Sequence, residues 1–223
     1  INKCLIDDGI FVFEDPSLLK MLERVSYDQI YDEHAHIFSV TSLQNLLNRN
    51  GLEIFRVENL VVHGGSNRIY ACKLGAREIE NSVTENLSLE QEYGIQELAT
   101  YKKFAKKVAT SKDALLELLT NMKNEGRKVV SYGATSKSTT VFNYCGIGPD
   151  LIDYIVDTTE AKQGKLSPGM HIPVVPPQSG FDDTVDVAFL GAWNYEKEIL
   201  SKEENFLKGG GRFVTHIPYV RFM

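Results

Sequence analysis

The sequence has 223 residues, and 43% of them are hydrophobic, which is enough for one large domain or for one domain and part of another. A formal net charge of -6 argues against a nucleic-acid-binding surface, because phosphate backbones require clustered lysine and arginine. No apolar run approaches the roughly 20 residues that cross a bilayer, and no signal-peptide pattern is present, so we expect a cytoplasmic protein without a membrane segment. The three cysteines lack the spacing of zinc or redox motifs and are predicted to be free thiols.

The N-terminal part predicts a strand followed by a helix. Residues 9–13 form a short apolar run next to acidic residues, which is typical of a buried strand in a mostly parallel sheet. Thr41 and Gln44 have the spacing of a capping box, which predicts that a helix begins there. Gly51 stands where a left-handed residue commonly ends a helix.

A hairpin and a helical connector are predicted next. Residues 52–62 and 67–73 are rich in β-forming side chains, and the turn at 63–66 contains two glycines. From residue 76 to residue 125 the chain is polar and charged, with leucines at helical spacing. This pattern indicates a helical connector.

The remaining residues alternate between strand and helix patterns. The predicted elements are strand 128–132, turn 133–136, helix 139–144, strand 151–156, strand 172–175, strand 185–190, helix 195–206 and strand 212–216. Such alternation predicts an α/β fold, in which helices cover both faces of a parallel sheet.

The densest polar cluster lies at residues 27–36, where three carboxylates and two imidazoles occur within one short segment. A histidine beside a carboxylate can be held in one tautomer and accept a proton near neutral pH, as a general base must. The same pattern also fits a solvated loop or a structural histidine. His34 and His36 would share one face of a strand, but no third ligand stands at a suitable spacing, so no metal site is predicted.

A set of segments occurs along the chain in a recognisable order. They are Asp28-Gln-Ile-Tyr-Asp-Glu-His34, Phe38-Ser39, His63-Gly-Gly-Ser-Asn-Arg68, Ser131-Tyr-Gly-Ala-Thr-Ser-Lys137, Asn143-Tyr-Cys-Gly-Ile147, Asp157, Lys162-Gln-Gly164 and Pro168-Gly169. Together they resemble the signature of S-adenosylmethionine-dependent sugar C-methyltransferases, and the later segments resemble the C-terminal domain of that family. The resemblance covers most of the chain from residue 9 onward.

The resemblance implies a reaction and roles for three residues. In that family a nucleotide-linked 4-keto-deoxysugar loses the proton next to its ketone, and the enolate attacks the methyl group of S-adenosylmethionine. The resemblance implies that His34 is the base, that Glu33 orients or tunes it, and that Tyr31 forms a hydrogen bond near the ketone or the sugar ring. We interpret His36 as structural.

The turn at 63–68 has two interpretations. It can be a plain hairpin turn, or it can form a wall of a sugar or nucleotide site to which His63, Ser66 and Arg68 contribute. Its glycines permit close backbone approach, and the Arg68 guanidinium can pair with a phosphate or with a core carboxylate.

The turn after strand 128–132 predicts a phosphate site, because the helix N-terminus that follows Gly133 attracts anions. Asp157 ends the next strand, where an acid can meet a ribose hydroxyl, and Asn194 follows a strand at the edge where open α/β sheets bind ligands. The turn lacks the glycine fingerprints of dinucleotide and nucleoside-triphosphate sites. The resemblance implies a nucleotide-diphosphate sugar as the partner, with Lys137 near its diphosphate, whereas a surface lysine is the alternative.

The family also carries a cysteine-rich zinc-binding region and a glycine-rich loop for S-adenosylmethionine, and this sequence contains neither. The resemblance implies that both lie upstream of Ile1, so that the chain alone lacks methyltransferase activity. It further implies three parts. Residues 1–75 would be the end of a class I methyltransferase-like sheet, residues 76–125 a helical connector, and residues 126–223 a Rossmann-like, doubly wound domain that binds the nucleotide sugar.

Two other functions remain open from the sequence. One is a non-catalytic module that binds a nucleotide sugar beside another chain, which an intact segment from Tyr31 to His34 opposes. The other is a nicotinamide-dependent oxidoreductase built on the βαβ unit, which the missing glycine fingerprint opposes.

Overall fold

The computed structural model describes residues 1–223, with the exception of the side chain of Ser179. The chain packs as two units. The first contains residues 1–24 and 35–105, and the second contains residues 25–34 and 106–223. A short segment from the N-terminal part of the chain therefore belongs to the same packing unit as the C-terminal half. None of the described helices is long and apolar enough to cross a membrane.

The first unit is built around a three-stranded antiparallel sheet. Its strands are β1 (Ile10–Pro16), β2 (Leu52–Leu60) and β3 (Ser66–Lys73), in the order β1-β3-β2. Its helices are α1 (Leu18–Arg24), α2 (Val40–Asn48), α3 (Asn81–Tyr93) and the first residues of α4 (Leu98–Asn124). The predicted hairpin is confirmed as β2 and β3, and the polar stretch that follows it forms helices α3 and α4.

Two expectations for the first unit are wrong. β1 pairs antiparallel with β3, and it is not buried, because Ile10 and Val12 are exposed while Phe11 and Phe13 pack against the core. Helix α2 is capped by Ser39 rather than by Thr41, because the Ser39 side chain accepts the hydrogen bond from the backbone N–H of Ser42.

The second unit contains a six-stranded sheet that is parallel except for its last strand. The strands are β4 (Val129–Tyr132), β5 (Ile155–Val156), β6 (Val174–Val175), β7 (Val187–Leu190), β8 (Arg212–Thr215) and β9 (Arg221–Phe222), in the order β6-β5-β4-β7-β8-β9. The helices are the rest of α4, then α5 (Ser136–Cys145), α6 (Pro177–Gly180), α7 (Glu196–Lys202) and α8 (Glu204–Lys208). Counted along the chain, this is the strand order 3-2-1-4-5-6 of doubly wound sheets, with its switch point between β4 and β7.

Helices pack against both faces of this sheet. Ala188 of β7 and Phe213 of β8 pack with Phe206 of α8 on one face. On the other face, the Phe189 ring lies 5.4 Å from the ring of Phe142 in α5. The predicted α/β class is therefore confirmed. Several details differ from the prediction. The helix expected at 195–206 is two short helices, the strand expected at 151–156 covers only Ile155–Val156, and the helix expected at 139–144 begins at Ser136. Strand β9 was not predicted because a two-residue strand leaves no pattern.

Candidate functional site

The turn between β4 and α5 lies at the carboxyl edge of the parallel sheet, beside the switch point. Gly133 has a φ of 97°, a left-handed value that favours glycine. Thr135 caps α5 by accepting a hydrogen bond from the Ser138 N–H at 3.0 Å, and its hydroxyl donates to the Gly191 carbonyl at 2.9 Å. The N-terminus of α5 is thereby fixed at the end of β7.

Asp157, at the end of β5, holds this turn in place. Its carboxylate accepts hydrogen bonds from the N–H groups of Ala134 at 2.7 Å and Thr159 at 2.8 Å, and the Lys162 ammonium lies 3.5 Å away. Burial acts to raise the pKa of Asp157, but these donors outweigh it, and the pKa lies below the usual value. The carboxylate predicted to meet a ribose is thus already engaged with backbone N–H groups.

Two cavities open next to the turn. The larger, of about 620 Å³, lies between α5 and the segment at 165–168, and the smaller, of about 380 Å³, lies over the ends of β4 and β5. Thr135 and Lys162 line both of them. Gly133 and Asp157 line the smaller cavity, whereas Asn194 belongs to the described lining of neither.

Residues 25–34 pack against α5. The Tyr27 ring contacts the ring of Tyr144, with 5.5 Å between centroids, and its hydroxyl lies 3.7 Å from the Cys145 sulfur. Further along the segment, Tyr31 and Asp32 line the larger cavity. This packing places the polar cluster at a cavity of the second unit.

The three residues with implied catalytic roles lie in this segment. The Tyr31 and His34 rings are 5.2 Å apart in an edge-to-face arrangement, and the backbone N–H of His34 donates a hydrogen bond to the backbone carbonyl of Tyr31 at 3.0 Å. Tyr31 is half-buried, and burial, followed by the charges of Glu33 and Asp28, raises its pKa. The phenol therefore stays protonated and can donate a hydrogen bond. His36 is exposed and belongs to the first unit.

Lys137 is buried, with only 8% of its surface exposed, so the alternative of a surface lysine is wrong. Its ammonium lies 5.6 Å from the centre of the Tyr31 ring. Burial lowers the pKa of Lys137, and the charges of Asp28 and Glu33 partly oppose this shift. Its side chain is directed at the polar cluster and does not belong to the described lining of either cavity.

The other three predicted substrate residues lie in the first unit, on or beside the β2–β3 hairpin. His63 is exposed with a φ of 54°, and the Ser66 hydroxyl donates to the Val62 carbonyl at 3.2 Å. The Arg68 guanidinium pairs with the carboxylates of Glu14 at 3.1 Å and Glu58 at 3.3 Å. His63, Ser66 and Arg68 therefore belong to a different packing unit from Gly133, Lys137, Asp157 and Asn194.

Several residues that surround the polar cluster have no role predicted from the sequence. Asp28 is fully buried, accepts a hydrogen bond from the Trp193 indole N–H, and lies 3.6 Å from the His216 ring. Lys162 was named only as part of a motif that resembles the family. The single tryptophan, next to Asn194, was a signal in the sequence for this group. Its partner Asp28 could not be predicted, because it lies in a distant segment of the chain. Among the described residues, no group of three or more histidine, cysteine or acidic side chains is placed to hold a metal ion.

Comparison with known proteins shows similarity to C-methyltransferases. Residues 61–218 match the family model described as the C-methyltransferase C-terminal domain. The chain is also similar to the protein named C-methyltransferase NovU from Streptomyces niveus, with 36% identity over 222 residues. The matched region covers 99% of this chain but 53% of that relative, so the chain spans about half the length of the curated relative.

Proposed function

The chain belongs to the family of C-methyltransferase C-terminal domains, and from this premise we propose that it acts in the C-methylation of a nucleotide-linked keto-deoxysugar. In this proposal the chain binds the sugar nucleotide and removes the proton next to its ketone. The observation that carries the proposal is the packing of Tyr31 and His34 in the unit that contains the α5 N-terminus and its cavities.

The nucleotide sugar would occupy the larger cavity. Its volume of about 620 Å³ lies within the range of small-molecule sites, roughly 300 to 1,000 Å³. The diphosphate would lie near the N-terminus of α5, where Thr135 and Ser136 line the wall and Lys162 and Lys165 supply positive charge. The sugar would then face Tyr31, which lines the same cavity.

In the deprotonation step, the His34 imidazole takes the proton from the carbon next to the ketone. The electron pair of the broken C–H bond forms a double bond to the carbonyl carbon, and the ketone oxygen becomes an enolate oxygen. The protonated Tyr31 hydroxyl donates a hydrogen bond to that oxygen. Glu33 orients or tunes the imidazole through its charge.

S-adenosylmethionine would supply the methyl group that the sugar carbon receives. The described residues of the first unit form antiparallel strands, and no glycine-rich loop joins one of these strands to a helix. These residues do not fit a methyl-donor site. We therefore assign that site to another part of the protein.

Deuterium incorporation into the substrate tests the deprotonation directly, because it requires no methyl donor. The chain is incubated in heavy water with a thymidine-diphosphate-linked 4-keto-6-deoxysugar, and mass spectrometry follows the carbon next to the ketone. We expect incorporation well above the rate without protein. If the sugar nucleotide binds but no deuterium enters, the non-catalytic binding module becomes the better explanation.

Calorimetric titration tests the ligand. We expect the chain to bind the thymidine-diphosphate sugar and to bind neither nicotinamide dinucleotide. Lys162→Met should weaken binding roughly tenfold, which corresponds to about 1.4 kcal/mol. Lys208→Met removes the same charge from an exposed lysine that pairs with Glu204, and it should leave the affinity unchanged. Binding of a dinucleotide alone would favour the oxidoreductase.

A further inference from the structure

A buried group of polar side chains lies beneath the segment that carries Tyr31 and His34, and the mechanism above does not use it. Asp28 is completely buried, His216 is 1% exposed and Trp193 is 6% exposed. All three belong to the second unit, although they come from three distant parts of the chain. A carboxylate in such a place is costly unless its charge is compensated.

The contacts of Asp28 compensate this charge only in part. One carboxylate oxygen accepts the hydrogen bond of the Trp193 indole and lies 3.6 Å from the His216 ring nitrogen Nε2. The second oxygen has no hydrogen-bond partner among the described residues, and the same is true of both ring nitrogens of His216. Lys137 supplies an opposite charge. Among the charges that favour the protonated form of Lys137, that of Asp28 has the larger effect and that of Glu33 the smaller.

The position of Asp28 explains why this arrangement matters. Asp28 lies in a short 3-10 turn at Tyr27–Gln29, three residues before Tyr31, and Tyr27 packs on α5 beside it. The Lys137 ammonium, whose charged form the charge of Asp28 favours, lies 5.6 Å from the centre of the Tyr31 ring. We therefore expect a substitution of Asp28 to change the position of the Tyr31 side chain, both through the backbone of the turn and through Lys137.

We infer that Asp28 is a positioning residue for the proposed deprotonation: by accepting the Trp193 hydrogen bond from a fully buried position, it fixes the segment that presents Tyr31 and His34 to the substrate. The inference rests on the proposed function. Asp28 itself does not touch the sugar. It acts through the orientation of the segment, so its loss should slow proton removal more than it weakens binding.

The single tryptophan makes the contact directly observable. In a ¹⁵N-labelled sample, Trp193 gives one indole N–H resonance, and a donor to a carboxylate is shifted downfield relative to a donor to a neutral amide. Asp28→Asn keeps the shape of the side chain and removes its charge. We expect the indole resonance to move upfield, and an unmoved resonance would overturn the contact.

The functional readout is the rate of deuterium incorporation into the thymidine-diphosphate-linked 4-keto-6-deoxysugar. We expect Asp28→Asn to lower the maximal rate at least tenfold and to change the half-saturating concentration less than twofold. Trp193→Phe, which keeps the charge but removes the donor, should give a smaller decrease. Asp153→Asn is the matched control, because Asp153 pairs with Lys123 in the same unit, and its rate should equal that of the wild type.

The outcomes separate the two claims. If the wild-type chain incorporates no deuterium, the proposed function fails, and the role of Asp28 fails with it. If the wild type incorporates deuterium and Asp28→Asn does so equally fast, only the role of Asp28 fails. An equal loss of rate in Asp28→Asn and in the Asp153→Asn control would also overturn it, because general destabilisation would then be sufficient.

Discussion

Charged residues occur in family-like motifs both in the β2–β3 hairpin of the first unit and in the segment at 25–34 of the second unit. The two sets differ in their exposure to solvent and in their hydrogen bonding. In the hairpin, Arg68 pairs with carboxylates on the neighbouring strands and remains partly exposed. In the second unit, Asp28 and Lys137 are buried, one oxygen of Asp28 has no hydrogen-bond partner among the described residues, and the nearby Tyr31 lines a cavity. Paired charges at a surface are common and contribute little to stability, whereas buried charges with incomplete hydrogen bonding near a cavity are typical of a functional site.

The largest effect that would sharpen this comparison is expected at His34. His34→Gln should lower the rate of deuterium incorporation by about 10²- to 10⁴-fold, because general-base catalysis contributes a factor of this size. His36→Gln is the control, since that exposed residue belongs to the first unit. Equal rates for His34→Gln and the wild type would remove the base from this segment.

A change inside the first unit should affect stability and not ligand binding. The buried carboxylate of Glu90 accepts hydrogen bonds from the N–H groups of Val40 and Thr41 and from the Thr41 hydroxyl, at 2.6 to 2.8 Å. Glu90→Ala should reduce the free energy of unfolding by about 1.5–3 kcal/mol for the lost charged hydrogen bonds, measured by urea unfolding. The affinity for the nucleotide sugar should be unchanged, and a matched loss of affinity would contradict the division of roles.

The pH dependence of stability tests the engagement of Asp157. Because its pKa is lowered in the folded chain, Asp157 contributes stability above its unfolded pKa of about 3.9, and this contribution is lost as the pH falls through the folded value. Asp157→Asn should therefore cost about 1.5 kcal/mol at neutral pH and progressively less below about pH 4. Asp183→Asn, at an exposed position, is the control, and a cost that is independent of pH would count against the hydrogen bonds to this turn.

The smallest effect is expected at Arg68. Arg68→Gln removes two partly exposed ion pairs, which contribute little in water, so the thermal unfolding midpoint should fall only slightly. Calorimetry should give the same affinity for the nucleotide sugar as the wild type. A loss of affinity as large as that of Lys162→Met would bring the hairpin into the binding site and break the comparison.

Local patterns were enough to predict the hairpin and the βαβ unit. Strand propensity, glycines and helix spacing act over a few residues, and they correctly indicated β2, β3 and the turn at Gly133. An apolar run does not by itself show that a strand is buried on both faces, and in residues 9–13 the side chains of Ile10 and Val12 are exposed. The predicted N-cap of α2, Thr41, is two residues too late. Ser39 and Thr41 are both residue types that cap helices well, and only the backbone geometry shows that Ser39 is the cap.

The surroundings of the candidate site could not be predicted because they depend on contacts between distant residues. Asp28 and its partner Trp193 are 165 positions apart, and no local pattern connects them. A lysine at the start of a helix is ordinarily exposed, and the burial of Lys137 follows only from the packing of residues 25–34 on α5. The family resemblance identified Tyr31, Glu33 and His34 as candidate catalytic residues, but it did not predict that they pack in the second unit.

The central claim is that residues 25–34 and the C-terminal part of the chain together form the nucleotide-sugar site. Amide hydrogen exchange, measured by mass spectrometry with and without the thymidine-diphosphate sugar, tests it most directly. We expect slower exchange at residues 27–34, 134–140 and 162–168, with no change at residues 61–68. Slower exchange at residues 61–68 without protection of the other three segments would contradict it.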